Sequence, residues 1–86
     1  MSKSDVEEIF GNNKVTFSKV EIGDLIDITK YVSLDIKMDK VSLDYYYIIN
    51  VNELLTSAMP IEILKRMGKN GWSFDEEQEN LILYII

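Results

Sequence analysis

Alternating apolar and polar residues in the middle of the chain predict a β-hairpin. Within residues 31–38 the aliphatic side chains occupy even positions, and within residues 41–51 the apolar stripe follows odd positions. Antiparallel strands bury both stripes on one face only when the connection between them has an even length. A two-residue turn meets this condition and sets Leu34 beside Tyr45. A four-residue loop that keeps the same pairing is the alternative.

The N-terminal residues predict a short amphipathic helix. Ser4 and Glu7 have the spacing of a capping box, in which each side chain accepts the other residue's backbone N–H. The helix covers residues 5–10 and ends at Gly11, where a glycine and two asparagines interrupt the pattern. A helix this short persists only when it packs against other elements.

Extended structure is predicted after this helix. From residue 14 to residue 22 the apolar period is two, and a change of parity at residues 18–19 indicates a bulge or a bend. Residues 25–28 fit either a strand or a short helical turn, and we favour the strand.

Two further helices are predicted in the second half of the chain. Asn52 has the residue type of an N-cap and precedes a helix over residues 53–58. Pro60 suits the first turn of the next helix, because the first N–H groups of a helix have no partner within it. Gly68 is the expected end of that helix.

The C-terminal residues return to an extended pattern. Trp72 and Phe74 alternate along a strand, residues 75–79 form an acidic loop, and residues 81–86 form the last strand. This last strand is apolar on both faces, which is typical of a central strand. We therefore expect it either between other strands of its own sheet or against a second copy of the chain.

Together these elements predict an α+β fold in one domain over residues 1–86. Their order is α-β-β-β-α-α-β-β, with an antiparallel sheet of about five strands and short helices packed on one face. A chain of 86 residues supports a single hydrophobic core. Because it contains no cysteine, packing alone must stabilise that core.

Composition removes most routes to catalysis. The chain has no histidine and no cysteine, the side chains that perform most proton transfer near neutral pH and most thiolate chemistry. We expect a protein that is not an enzyme and that holds no cofactor or metal. The acidic loop lacks the alternating ligand spacing of an EF-hand, so its carboxylates do not indicate a calcium site.

The formal net charge of −6 bears on the kind of partner. Phosphate backbones select basic surfaces, so direct nucleic-acid binding is disfavoured. The sequence shows neither a signal-peptide pattern nor an apolar run long enough to cross a bilayer. A cytoplasmic protein without a membrane partner is therefore expected.

An acidic cluster and two tyrosines are the candidate binding residues. Four carboxylates occur within five positions, and two tyrosines are expected on the less apolar face of the hairpin. Carboxylates attract a basic partner surface, and tyrosine is enriched in protein interfaces. The predicted partner-binding residues are Asp75, Glu76, Glu77, Glu79, Tyr46 and Tyr31.

The predicted function is a non-catalytic protein-binding module that engages a basic partner protein. Small, acidic, cysteine-free chains of this kind are common among the inhibitors and adaptors of phages and mobile elements. Two alternatives stay open. One is a structural protein that self-assembles, for instance as a homodimer, through exposed strands. The other is a binder of small ligands or nucleic acid that uses the aromatic sheet face.

Overall fold

A four-stranded antiparallel sheet is the framework of the fold. The computed structural model describes residues 1–14 and 20–85. Its elements are α1 (Lys3–Phe10), α2 (Ile22–Thr29), β1 (Asp35–Met38), β2 (Tyr45–Asn50), α3 (Val51–Thr56), α4 (Ile61–Lys69), β3 (Ser73–Asp75) and β4 (Asn80–Tyr84). The strand order is β1-β2-β4-β3, and all neighbours are antiparallel. The α+β class is confirmed, with four strands in the described residues rather than about five.

Strand β4 is internal, between β2 and β3. Leu81 and Leu83 are buried on one face of the sheet, and Ile82 is half-buried on the other. A strand with neighbours on both sides can be apolar on both faces without exposing an apolar edge. The expectation of an internal strand is therefore confirmed as far as Tyr84, and Ile86 lies outside the described residues.

The hairpin forms, but its predicted register is wrong. Tyr45 lies opposite Met38, four residues beyond the predicted partner Leu34. The connection therefore covers residues 39–44, which is longer than either predicted loop. A shift of four residues keeps the parity of both strands, so the hydrophobic pattern does not distinguish the two registers. Hydrogen bonds to Asp39 close the longer loop and select the observed register.

Helix α2 replaces the strand favoured for residues 25–28. Leu25 and Ile28 both pack in the core, which a helix allows at a spacing of three and a strand does not. Arg66 of α4 contacts two carboxylates on the adjacent side of α2, at 3.3 and 3.5 Å. Residues 15–19 of the strand predicted over residues 14–22 lie outside the described residues. At its described ends the prediction is wrong, because residues 14, 20 and 21 are not in a strand and Ile22 begins α2.

Two helix caps lie two residues earlier than predicted. Ser2, rather than Ser4, forms a capping box with Asp5 at the start of α1. Asn50, rather than Asn52, caps the first turn of α3 with its side-chain oxygen. The same residue type occurs at both candidate positions, so residue preference alone does not select between them.

Gly68 lies within α4 rather than at its end, and it allows α1 and α4 to approach closely. A Cβ at this position would lie 2.7 Å from Cγ2 of Ile9. Nearby, the side-chain amide of Asn13 donates to the carbonyl oxygens of Gly68 and Trp72, at 3.0 and 2.7 Å. These contacts fix the segment after α1 to the end of α4 and the start of β3.

One hydrophobic core lies between the helices and one face of the sheet. Each of the four described helices contributes buried side chains, and the strands contribute Ile49, Leu81 and Leu83. Trp72 is fully buried just before β3, with its ring centroid 6.4 Å from that of Tyr47. Strands β2 and β4 therefore form the sheet side of the core.

The central position of β4 predicts that Leu81 is critical for stability. Leu81→Ala should lower the free energy of unfolding by about 2–5 kcal/mol, because it leaves a cavity in the core. Val41→Ala is the control, since Val41 is 95% exposed and its truncation should change stability by less than about 0.5 kcal/mol. Urea denaturation followed by tryptophan fluorescence measures both, and equal effects would contradict this assignment of the core.

Candidate functional site

The loop between β1 and β2 is organised by Asp39. Its Oδ1 accepts the backbone N–H groups of Val41 at 2.9 Å and of Ser42 at 3.3 Å. Its backbone N–H donates to the carbonyl oxygen of Asp44, and its carbonyl oxygen accepts the N–H of Leu43, both at 2.8 Å. One residue therefore accepts the N–H groups of three of the four residues 40–43 and also donates to Asp44.

Tyr84 joins this loop to the central strand. Its hydroxyl donates to Oδ2 of Asp39 at 2.9 Å. The Val41 amide, followed by the Tyr84 hydroxyl and the Ser42 amide, holds the pKa of the Asp39 carboxyl below its usual 3.8. The hydrogen bond to Asp39 also raises the pKa of Tyr84 above 10.0, because ionisation would remove the donated proton.

Five exposed apolar side chains lie on this hairpin. Val41 is 95% exposed and Leu43 is 65% exposed in the loop. Ile36, Met38 and Tyr45 are also exposed, on the core-bearing face of the paired strands. We call these five side chains the hairpin surface. Large apolar groups concentrated on one exposed element are typical of a surface that contacts another protein.

Leu43 has an unfavourable backbone conformation within the hairpin surface. Its φ is 63°, in the left-handed region that costs a residue with a Cβ roughly 1–2 kcal/mol. Its N–H group is bonded to the carbonyl oxygen of Asp39, which helps to offset that cost. The loop therefore keeps a strained leucine largely exposed to solvent, as occurs at many binding sites.

The predicted acidic cluster forms the turn between β3 and β4. Glu76 and Glu77 are exposed, whereas Asp75 accepts a backbone N–H from within the turn. Glu79 forms an ion pair with Lys3 of α1 at 3.2 Å. The structure thus leaves two of the four carboxylates directed to solvent and uses the other two in local or tertiary contacts.

The two predicted tyrosines lie in different places. Tyr46 is on the face of the sheet opposite the core, here called the second face, with its ring centroid 5.4 Å from that of Tyr84. Tyr31 packs against the core instead. The prediction that Tyr31 lies on the less apolar face of the hairpin is wrong, because α2 and the turn after it delay the start of β1 to Asp35.

A polar depression of about 300 Å³ lies on the second face between Tyr46 and the acidic turn. It is lined by Asp35, Lys37, Ile48, Asn50, Gln78 and Asn80. Within residues 1–14 and 20–85, no three acidic, histidine or cysteine side chains converge as metal ligands would. The groups around the depression can bind by charge and by hydrogen bonds.

The hairpin surface was not among the predicted binding residues, although the sequence contains a signal for it. Aspartate side chains commonly bond the backbone N–H two residues ahead, as Asp39 does with Val41. Asp39-Lys40 is also a poor match for the preferred two-residue turns. Both facts favour a longer loop, which moves Val41 and Leu43 from the predicted strand into solvent.

Comparisons of the chain with family models, with curated proteins and with solved structures found no match. None of the helices in the described part of the chain has the length and apolar character that crossing a bilayer requires. Conclusions about function therefore depend on the hairpin surface, the acidic turn and the second face.

The Asp39–Tyr84 contact predicts how the hairpin responds to pH. A lowered Asp39 pKa stabilises the fold above the unfolded value of about 3.8, and this contribution is lost as the pH falls through the lower folded value. A raised Tyr84 pKa stabilises the fold below about 10, and this contribution is lost as the pH rises through the higher folded value.

Tyr84→Phe tests the contact directly. The variant should raise the Asp39 pKa towards 3.8 but leave it lowered, because the Val41 amide is the larger cause. Carboxyl NMR titration measures this shift. Asp5 is the internal control, since its pKa is lowered mainly by the backbone of Ser2 and should not change. An Asp39 pKa that is identical in both proteins would contradict the assigned hydrogen bond.

Proposed function

We propose that this chain is a non-catalytic protein-interaction module that binds its partner through the β1–β2 hairpin. The observation that carries the proposal is the hairpin surface, with five exposed apolar side chains on one hairpin. The hydrogen bonds that the Asp39 carboxylate accepts from Val41 and Tyr84 hold its loop, so little conformational entropy would be lost when a partner binds.

Backbone groups of β1 support the same proposal. In the described sheet, β1 has a neighbour on one side only. The Asp39–Asp44 bond shows that odd-numbered residues of β1 bond to β2, so the N–H and C=O groups of Ile36 and Met38 point away from it. An extended segment of a partner can bond to this edge while its side chains cover Ile36 and Met38.

The charge of the chain supports a partner with a basic surface. The net charge is −6, and Glu76 and Glu77 are exposed at the acidic turn. Such charges accelerate association with a basic protein and disfavour acidic competitors. An acidic module that covers a basic surface acts as an inhibitor or an adaptor, depending on what that surface otherwise binds.

Photo-crosslinking from the hairpin tests the proposal. A photoreactive amino acid at Val41, in the cells that produce the protein, should give a discrete covalent adduct, and Met38→Asp should abolish it. The matched control is the same probe at Ile26, which is 53% exposed on α2 and is therefore also able to make non-specific apolar contacts. No adduct from position 41, or the same adducts from both positions, would contradict the proposal.

The role of the acidic turn has a separate test. Glu76→Lys together with Glu77→Lys should slow association with the crosslinked partner and remove most of its salt dependence. Surface plasmon resonance at low and high salt measures both effects. Glu62→Lys with Glu8→Lys is a control with the same change in net charge at exposed positions elsewhere. Equal effects of the two double variants would show that only net charge matters.

A further inference from the structure

We propose that a second copy of this chain binds the β1 edge, paired antiparallel about a two-fold axis at Ile36, while the basic partner contacts the loop and the acidic turn. This inference rests on the proposed function, because it identifies the strand that adds to the β1 edge. The outward N–H and C=O groups of Ile36 can bond to those of Ile36 in the second copy. Two four-stranded sheets would then join into one of eight strands.

Charge selects this register. With Ile36 on the axis, Asp35 lies opposite Lys37 of the second copy, and Lys37 lies opposite its Asp35. Both residues are exposed, and both lie on the second face. An acidic and a basic residue flank Ile36 in the sequence. Because the two-fold axis repeats each contact, this single arrangement gives two opposite-charge pairs between the copies.

The neighbouring register is disfavoured by the same side chains. The same faces of both sheets also align when the axis passes through Lys37. That arrangement sets Lys37 against its own copy and Asp35 against Asp39 of the second chain. Every charged pair is then of like sign, which destabilises strand pairing. An axis at Asp35 likewise sets Asp35 against its own copy. Among the axes at Asp35, Ile36 and Lys37, only the one at Ile36 therefore pairs opposite charges.

Apolar contacts on the core-bearing face agree with the Ile36 axis. Met38 of each copy lies opposite Leu34 of the other, and the two Ile36 side chains meet at the centre. Ile36 is 58% exposed and Met38 44% exposed in the single chain. Pairing covers both and extends the apolar row that Ile36 forms with Tyr47 across the joined sheets. Because β1 is short, the dimer is expected to be reversible.

Charge-swap variants test the register. Sedimentation velocity over a range of concentrations should show a monomer–dimer equilibrium for the original chain. Asp35→Lys and Lys37→Asp should each weaken dimerisation by about tenfold, since each creates two like-charge pairs. The double variant Asp35→Lys/Lys37→Asp should restore it. An equimolar mixture of the two single variants should form heterodimers, because both charged pairs across the interface are then of opposite sign. Glu62→Lys is the control and should leave the equilibrium unchanged.

Several results would overturn the inference. These are a monomer at every concentration, equal dimerisation of all variants, or failure of both the double variant and the mixture to restore pairing. Circular dichroism establishes that each variant is folded. The proposed function fails separately: a monomeric chain whose Val41 probe captures a different protein keeps the interaction role and loses only the second copy as its partner. A sedimenting species of twice 10.0 kDa is expected if the inference holds.

Discussion

The insertion of β4 between β2 and β3 is the contact on which the rest of the structure depends. Burial of Leu81 and Leu83 contributes on the order of 3–6 kcal/mol. Strand β3 has only three residues, and β4 is its neighbour in the sheet. At the far end of β4, Tyr84 donates the hydrogen bond that helps to fix the hairpin loop. The core, the edge strand β3 and the hairpin loop are therefore all stabilised by contacts with β4.

Elements with a long, unambiguous pattern were predictable from sequence. The hairpin, the last strand and the helices α1, α3 and α4 were all expected. Both hairpin strands begin four residues later than predicted, and the starts of α1 and α3 are displaced by two residues. The helix displacements arise because neighbouring polar residues compete as caps. Helix α2 was not expected, since four residues are too few for the apolar period to separate helix from strand. Contacts between α2 and Arg66 of α4 are distant in sequence and leave no local signal.

The candidate site was less predictable than the fold, for a related reason. Parity restricts a hairpin to every second register but does not choose among those that remain. The observed choice exposes Val41 and Leu43, which the predicted one buried in a strand. The exposure of Glu76 and Glu77 was predictable from their local sequence. The ion pair of Glu79 with Lys3 was not predictable, because the two residues are 76 positions apart in the sequence.

The position of β4 in the chain also affects how the protein folds. Its pairing with β2 sets Asn50 opposite Asn80, so the chain must close a loop that contains α3, α4 and β3 before the two central strands pair. A chain that has formed only the β1–β2 hairpin still exposes the inner edge of β2, while its β4 is unpaired and apolar. Two chains in that state can exchange β4 strands, each completing the sheet of the other. Slow folding at high protein concentration would then produce intertwined dimers whose strand pairing within each sheet is the same as in the single chain.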